Sequence, residues 1–120
     1  MNIVENKLND LLPYKDNPRK HTEKQVQQIA ESISEFGFIN PILVDEKNMI
    51  LAGHGRYLAA QKLELTKVPV VVVDNLNEDQ KKALVIADNK IAMNSTWDEN
   101  LLWEQIRQLN DKGFNLDVLA

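Results

Sequence analysis

Apolar residues recur at helical spacing over Val26, Ile29, Ala30, Ile33 and Phe36, which predicts an amphipathic helix there. Its start is marked by Thr22 with Gln25 three residues on, a capping box that satisfies two otherwise orphaned amides, and Gly37 ends it. Glu23, Lys24, Gln27, Gln28, Glu31 and Glu35 fill the remaining positions and read as a solvated surface. The pattern then shortens its period. Ile42-Leu43-Val44 and Met49 to Ala52 are short apolar runs separated by the polar Asp45-Glu46-Lys47-Asn48, a hairpin signature. Gly53 to Arg56 makes a loop, and Tyr57 to Leu63 is predicted as a short helix. Val68 to Val73 is a β-branched strand too apolar to lie on an exposed edge, with Pro69 limiting its pairing near the start. Asn77 and Gln80 cap a further helix whose packing positions are read as Ala83, Leu84, Ile86, Ala87 and Ile91. Asn94-Ser95-Thr96 breaks the pattern, and Ser95, Thr96 or Asp98 caps a last helix that buries Leu102, Ile106 and Leu109 with Trp103 beside them, up to Gly113. At the front, Ile3 to Leu12 reads as a short strand or extended arm, and Asp16-Asn17-Pro18 as a turn.

Candidate chemistry concentrates where the hairpin ends. Gly53 and Gly55 can take backbone conformations closed to other residues, and they let a ligand approach without a Cβ in the way. The first amides of the following helix point into that loop with the positive end of the helix dipole behind them. Arg56 adds a planar, permanently charged fork suited to phosphate oxygens. Together Gly53, His54, Gly55 and Arg56 are expected to cradle an anion, most plausibly nucleotide phosphates; the competing reading is a tight turn holding nothing, with Arg56 in a surface ion pair. His54 is expected to be exposed between its glycines, to contact phosphate, and to be available as a general acid because an unperturbed imidazole titrates near neutrality. Asp88 and Asn89, near the end of their helix, would offer oxygen ligands to a nucleotide-borne Mg²⁺ if they face the glycine loop. Arg19-Lys20-His21 is the one basic cluster, able to clamp phosphate or approach DNA, or to be simply a charged loop.

Composition narrows the classes. A chain of 120 residues with 43% hydrophobic content is the size of one ordinary domain. With no cysteine there is no disulfide, thiolate metal site or thiol chemistry, which fits a reducing, cytoplasmic setting. No apolar run approaches a membrane span and the first residues lack a signal peptide's apolar core. A net charge of −4 argues against binding nucleic acid through a generally basic surface, so any DNA contact is local or belongs to a partner. The apolar tail Phe114 to Ala120 stops without a polar terminus, which suggests a longer chain.

Asn17-Pro18-Arg19-Lys20, Ser32 to Gly37, Phe38 to Ile42, Ile50 to Ala60, Val68-Pro69-Val70 and Ala87-Asp88-Asn89-Lys90 follow one another in an order that resembles the ParB/sulfiredoxin-like superfamily, in its ParB-like nuclease branch. The resemblance runs from about Leu11 to Asn94 and implies a small α/β (α+β) fold: a short mixed sheet packed by helices, holding nucleotide phosphates at the glycine-arginine loop. ParB proteins proper carry Gly-Glu-Arg-Arg there and bind and hydrolyse CTP; this chain keeps only the first glycine and last arginine of that loop. The family's Glu-Asn pair for catalysis and Mg²⁺ aligns with Asp88-Asn89. Arg19 and Lys20 become a second wall of the pocket on the same resemblance. Sulfiredoxin chemistry needs a cysteine that is absent. A kinase of the superfamily would need a carboxylate near the loop, for which Glu31, Glu35 and Glu46 are candidates.

The chain also looks like the N-terminal module of prophage or mobile-element proteins that carry a DNA methyltransferase. Residues 1–94 are then expected to bind a nucleoside triphosphate, ATP or CTP, with Mg²⁺, and residues 95–120 to form a C-terminal helix and the start of a linker. The expected role is a DNA transaction with a fused or partner methyltransferase, with slow NTPase turnover and a homodimer both compatible with it. The competing classes are a free-standing small-molecule kinase or nuclease, and an interaction module that has lost its nucleotide.

Overall fold

The computed structural model describes residues 2–94 and 96–114. In chain order these form β1 (Ile3–Lys7), a 3-10 turn at Leu8–Asp10, α1 (Glu23–Phe36), β2 (Ile42–Val44), β3 (Ile50–Ala52), α2 (His54–Lys62), β4 (Lys67–Val72), α3 (Glu78–Asn94) and α4 (Glu99–Asp111). The four strands make one mixed sheet in the order β1-β4-β2-β3. β4 runs antiparallel to β1 and parallel to β2, and β2–β3 is the expected antiparallel hairpin. The β-branched strand therefore lies inside the sheet, with Pro69 opposite Glu5 on its β1 side.

Strand alternation sends neighbouring side chains to opposite faces, and each face has its own cover. Ile42, Val44, Ile50, Val68 and Val70 pack with Tyr57 and Ala60 of α2 and with Leu8 and Leu11. Leu51 and Val73 pack on the other face with Val85 of α3, joined by Leu43, Leu76 and Leu84. α1 lies against α2. Its capping box is formed as expected: the Gln25 N–H donates to Thr22 Oγ1 and the Thr22 N–H to Gln25 Oε1, both at 3.1 Å. Asn77 and Gln80 repeat that exchange at α3, at 2.8 and 2.9 Å.

Three expectations change. α2 starts at His54 rather than Tyr57, because Gly53 makes the whole turn by itself in the left-handed region (φ 98°, ψ 27°). α3 is rotated from the expected face: Val85 is buried and Leu84 half-buried, while Ala83, Ile86 and Ala87 are exposed. The cause is Lys81, one turn before Val85 and only 2% exposed, whose ammonium reaches Asp45 at 3.0 Å, Glu46 at 2.9 Å and Glu78 at 3.3 Å. On α4, Leu102, Ile106 and Leu109 are half-covered rather than buried, and Trp103 is exposed. Asp98 caps α4 by accepting from the Leu101 N–H at 3.1 Å. The Phe114 ring stacks on Phe36 at the end of α1. The proposed cap at Ser95, the packing of Ile91 and the tail beyond Phe114 lie outside the described residues and side chains.

Candidate functional site

The end of β3, the first turn of α2, the loop before α1 and the far half of α3 converge on a cavity of about 420 Å³. Gly53, the N-cap of α2, puts the chain into a left-handed turn that an ordinary residue adopts only with strain. Space there is also tight: a Cβ would stand 3.0 Å from Arg56 Nη2 and 3.3 Å from Ile42 Cγ1. The first helical bond of α2 runs from the Tyr57 N–H to the Gly53 carbonyl at 2.9 Å. The amides of His54, Gly55 and Arg56 thus precede the helical ladder, at the positive end of the helix dipole and on residues that line the cavity.

The charged groups around this opening are unequal. Arg19 and Arg56 line the cavity, with Asp88 as the single carboxylate among its lining residues. One Arg56 Nη2 donates to the Pro41 carbonyl at 3.1 Å, and its Nε is buried without a hydrogen-bond partner among the described residues. Burial weakens the guanidinium's hold on its proton, opposed by Asp88. A partly desolvated cation with one distant carboxylate is an arrangement that an anion would stabilise. Lys20 is exposed and does not line the cavity, whereas Arg19 and His21 on either side of it do.

His54 is not the exposed imidazole its glycine neighbours suggest. The Tyr14 backbone N–H donates to its Nε2 at 3.1 Å, which leaves any proton of the neutral ring on Nδ1. Burial, with the nearby His21 adding to it and Asp88 opposing, pushes its pKa down to about 4. The ring is therefore neutral at physiological pH, and near-neutral titration is lost to it. Its Nδ1–H can still donate to an anion, and it lines the cavity.

Asp88 and Asn89 line the same cavity as the glycine turn. Asn89 Nδ2 donates to Asn17 Oδ1 at 3.2 Å, so the Asn-Pro-Arg-Lys turn is tied to α3; Asn17 Oδ1 also accepts from the Arg19 N–H. Asn89 Oδ1 and the exposed Asp88 carboxylate are the oxygen atoms in the lining that could serve a cation. Among the described residues no group of three His, Cys, Asp or Glu side chains converges as a metal cage. One carboxylate and one amide oxygen fit a Mg²⁺ that keeps its waters and phosphate ligands, and they do not fit a metal held by protein alone. Glu31, Glu35 and Glu46 do not line the cavity, and Glu46 is paired with Lys81.

Several lining groups escape a reading of the sequence. Ser32, Ile33, Gly37, Phe38 and Asn40 build the wall from α1 and the connection after it. His21, which the sequence gives only as part of the basic cluster, comes to line the cavity because Thr22 caps α1 and fixes the preceding residue at the mouth of that helix beside α2. That proximity follows from helix packing, and nothing in local spacing announces it.

Comparison with known proteins gives a consistent result. Residues 1–90 match the ParB N-terminal domain. The ParB-like nuclease domain-containing protein YnaK of Escherichia coli K12 is 48% identical over 82 residues, covering 68% of this chain and 94% of that protein. A probable chromosome-partitioning protein ParB of Rickettsia typhi is 30% identical over 80 residues, 65% of this chain, which spans only 28% of that relative. Among solved structures, a C-terminally truncated chromosome-partitioning protein ParB from Caulobacter crescentus complexed with CTP-gamma-S superposes with a TM-score of 0.78 at 24% identity, over 100% of this chain and 69% of that one. Sulfiredoxin from Arabidopsis thaliana superposes with a TM-score of 0.59 at 26% identity, over 70% of this chain and 98% of the other. With the fold, the turn and the order of motifs all in agreement, the chain belongs to the ParB N-terminal domain family.

Proposed function

We propose that this domain binds a nucleoside triphosphate with Mg²⁺ in the cavity at Gly53 to Arg56. The observation that carries the reading is the imbalance there: two guanidiniums and an open helix N-terminus facing one carboxylate around about 420 Å³. In this reading the amides of His54, Gly55 and Arg56 take the phosphate oxygens, Arg19 and Arg56 supply charge, and Asp88 with Asn89 hold the Mg²⁺ that the phosphates bring. Such a bound Mg²⁺ would neutralise phosphate charge and polarise a phosphoryl oxygen. CTP and ATP are the bases to compare first, CTP because a structural relative is complexed with CTP-gamma-S. Slow hydrolysis is compatible with the donor set, but the wall has a single carboxylate, which disfavours a nuclease working by converging acidic metal ligands.

The nucleotide would serve a DNA transaction. With a net charge of −4 and Arg19 turned to the cavity, the DNA contact falls to exposed residues such as Lys20 or to a partner, for which the sequence resemblance offers a fused or associated DNA methyltransferase. Titration calorimetry with ATP, CTP, GTP and UTP plus Mg²⁺ tests the reading. Arg56→Ala is expected to weaken binding at least about tenfold, the worth of one charge-assisted contact. Asp88→Ala should remove the Mg²⁺ dependence more than the affinity. Equal affinity in wild type and Arg56→Ala would refute the phosphate site.

A further inference from the structure

The two histidines of the chain both line the cavity, and their surroundings assign them different work. His54 is fixed by the Tyr14 N–H on Nε2, so its ring is held in place by the protein. The His21 ring has no hydrogen-bond partner among the described residues, although it is only partly exposed. It packs against the backbone of the first turn of α2: a Cβ on Gly55 would stand 3.1 Å from His21 Cε1 and 3.3 Å from His21 Nδ1. The same Cβ would meet Ile29 Cδ1 at 2.8 Å. Gly55 is in an ordinary helical conformation, so what it provides is room, and a loop side chain and an α1 side chain both use that room.

Resting on the nucleotide reading above, we infer that His21 is a phosphate-contacting residue of this cavity, admitted by Gly55, while His54, tied through Nε2 to the Tyr14 amide, holds the turn in place. His21 reaches the site from the loop that also carries Arg19, on the Cβ side of Gly55 in the first turn of α2. The groups facing it are Arg19 from its own loop, His54 and Arg56 from α2, and Asp88 from α3; α1 presents only Ile29, Ser32 and Ile33. Burial and the Arg19 charge favour the neutral ring in the free site. A neutral imidazole carries one N–H, enough for one hydrogen bond to a phosphate oxygen.

The contact makes Gly55 and His21 a coupled pair. A larger residue at 55 would displace the ring from the amides, and removing the ring would leave the first turn of α2 uncovered on that side. Phosphate recognition is thus divided between the helix start, which supplies amides and Arg56, and the preceding loop, which supplies Arg19 and His21.

The test uses the full chain, titrated with Mg²⁺ and CTP, ATP and inorganic triphosphate, read by calorimetry and by the side-chain nitrogen resonances of both histidines. The expected result is a clear change at the His21 ring nitrogens on adding triphosphate, with His54 Nε2 little moved. His21→Ala should weaken binding about tenfold, and His21→Gln, which keeps an N–H donor, should recover most of it. Gly55→Ala should weaken binding in the wild-type background and cost less in the His21→Ala background, where the ring is gone and only the Ile29 Cδ1 contact at 2.8 Å remains to be relieved. Should His21→Ala fail to fold, the ring resonances of the wild type and the Gly55→Ala affinity decide. Binding with shifts at the amides of 54–56, a silent His21 ring and an unchanged His21→Ala or Gly55→Ala affinity overturns this assignment and leaves the nucleotide site standing. No binding by the wild type to any of the three probes removes the nucleotide site and the His21 contact together.

Discussion

A histidine between two glycines looks solvent-exposed on paper, and His54 owes its burial to a partner forty residues earlier, the amide of Tyr14. Its depressed pKa, about 4 against an ordinary 6.5, carries a definite sign. Between those values the unfolded chain binds a proton that the folded chain excludes, so stability rises with pH across the window. His54 therefore contributes stability that is fully present above about pH 6.5 and is lost as the pH falls toward 4. His21, shifted in the same direction, adds to the slope. Denaturant midpoints are expected to fall from pH 7 to pH 4.5 in the wild type, and to fall less in His54→Gln, which loses the titrating group and keeps an acceptor for Tyr14. Equal slopes in the two proteins would contradict the burial of His54. The contrast with Gly53 shows what a sequence makes legible at this scale. Gly53 is required by backbone geometry within its own turn, and Arg56 by the charge it brings to that turn. The state of His54 depends on Tyr14, and the entry of His21 on how α1 meets α2; neither is encoded nearby.

At the level of elements, α3 is held at both ends by polar contacts of different depth. Near its start Lys81 ties it to the β2–β3 turn through Asp45, whose side chain is 3% exposed and also accepts from the amides of Met49 at 2.8 Å and Lys47 at 2.9 Å. Burial alone would raise the Asp45 pKa, but the Met49 amide, Lys81 and the Lys47 amide outweigh it and hold the carboxyl below its ordinary value. In its far half the tie among the described residues is the Asn89–Asn17 bond between amide side chains. Asp45→Ala should cost about 2–4 kcal/mol in chemical denaturation, because it strands two amides and removes the buried partner of a buried ammonium. Asn17→Ala should leave global stability within about 1 kcal/mol and speed amide exchange only around 13–21. If the two variants were equally destabilised, the two ends of α3 would not differ as the contacts indicate. The capping boxes of α1 and α3 and the hairpin were readable because each closes within four residues. The face of α3 was not, since an apolar count favoured Ile86 and Ala87 and gave no weight to a buried lysine; hydrophobic periodicity places charges outside unless a partner is known.

Over the whole molecule, both core clusters draw their residues from between Leu8 and Val85, and none comes from α4. Among the described residues, none that lines the cavity lies beyond Asn89. α4 adds half-covered Leu102, Ile106 and Leu109, while Trp97, Leu101 and Trp103 are exposed at 75%, 54% and 65%. Partial burial of a few aliphatic side chains, with one ring stack of Phe114 on Phe36, is worth on the order of 1–3 kcal/mol against the cost of ordering that helix. A chain of residues 1–96 is therefore expected to unfold cooperatively, with an unfolding free energy lowered by no more than about 1–3 kcal/mol, and to bind the same nucleotide within about threefold of the full chain. Circular dichroism is the appropriate probe, since both tryptophans are lost with the segment. A truncated chain that melts without a transition would mean that α4 completes the core, and the division near residue 94 would fail. One that folds but no longer binds would put α4 in the nucleotide site by a route the lining residues do not reveal. Retention of both fold and binding would establish residues 1–96 as a self-sufficient nucleotide unit and leave the exposed tryptophan surface of α4 for contacts outside it.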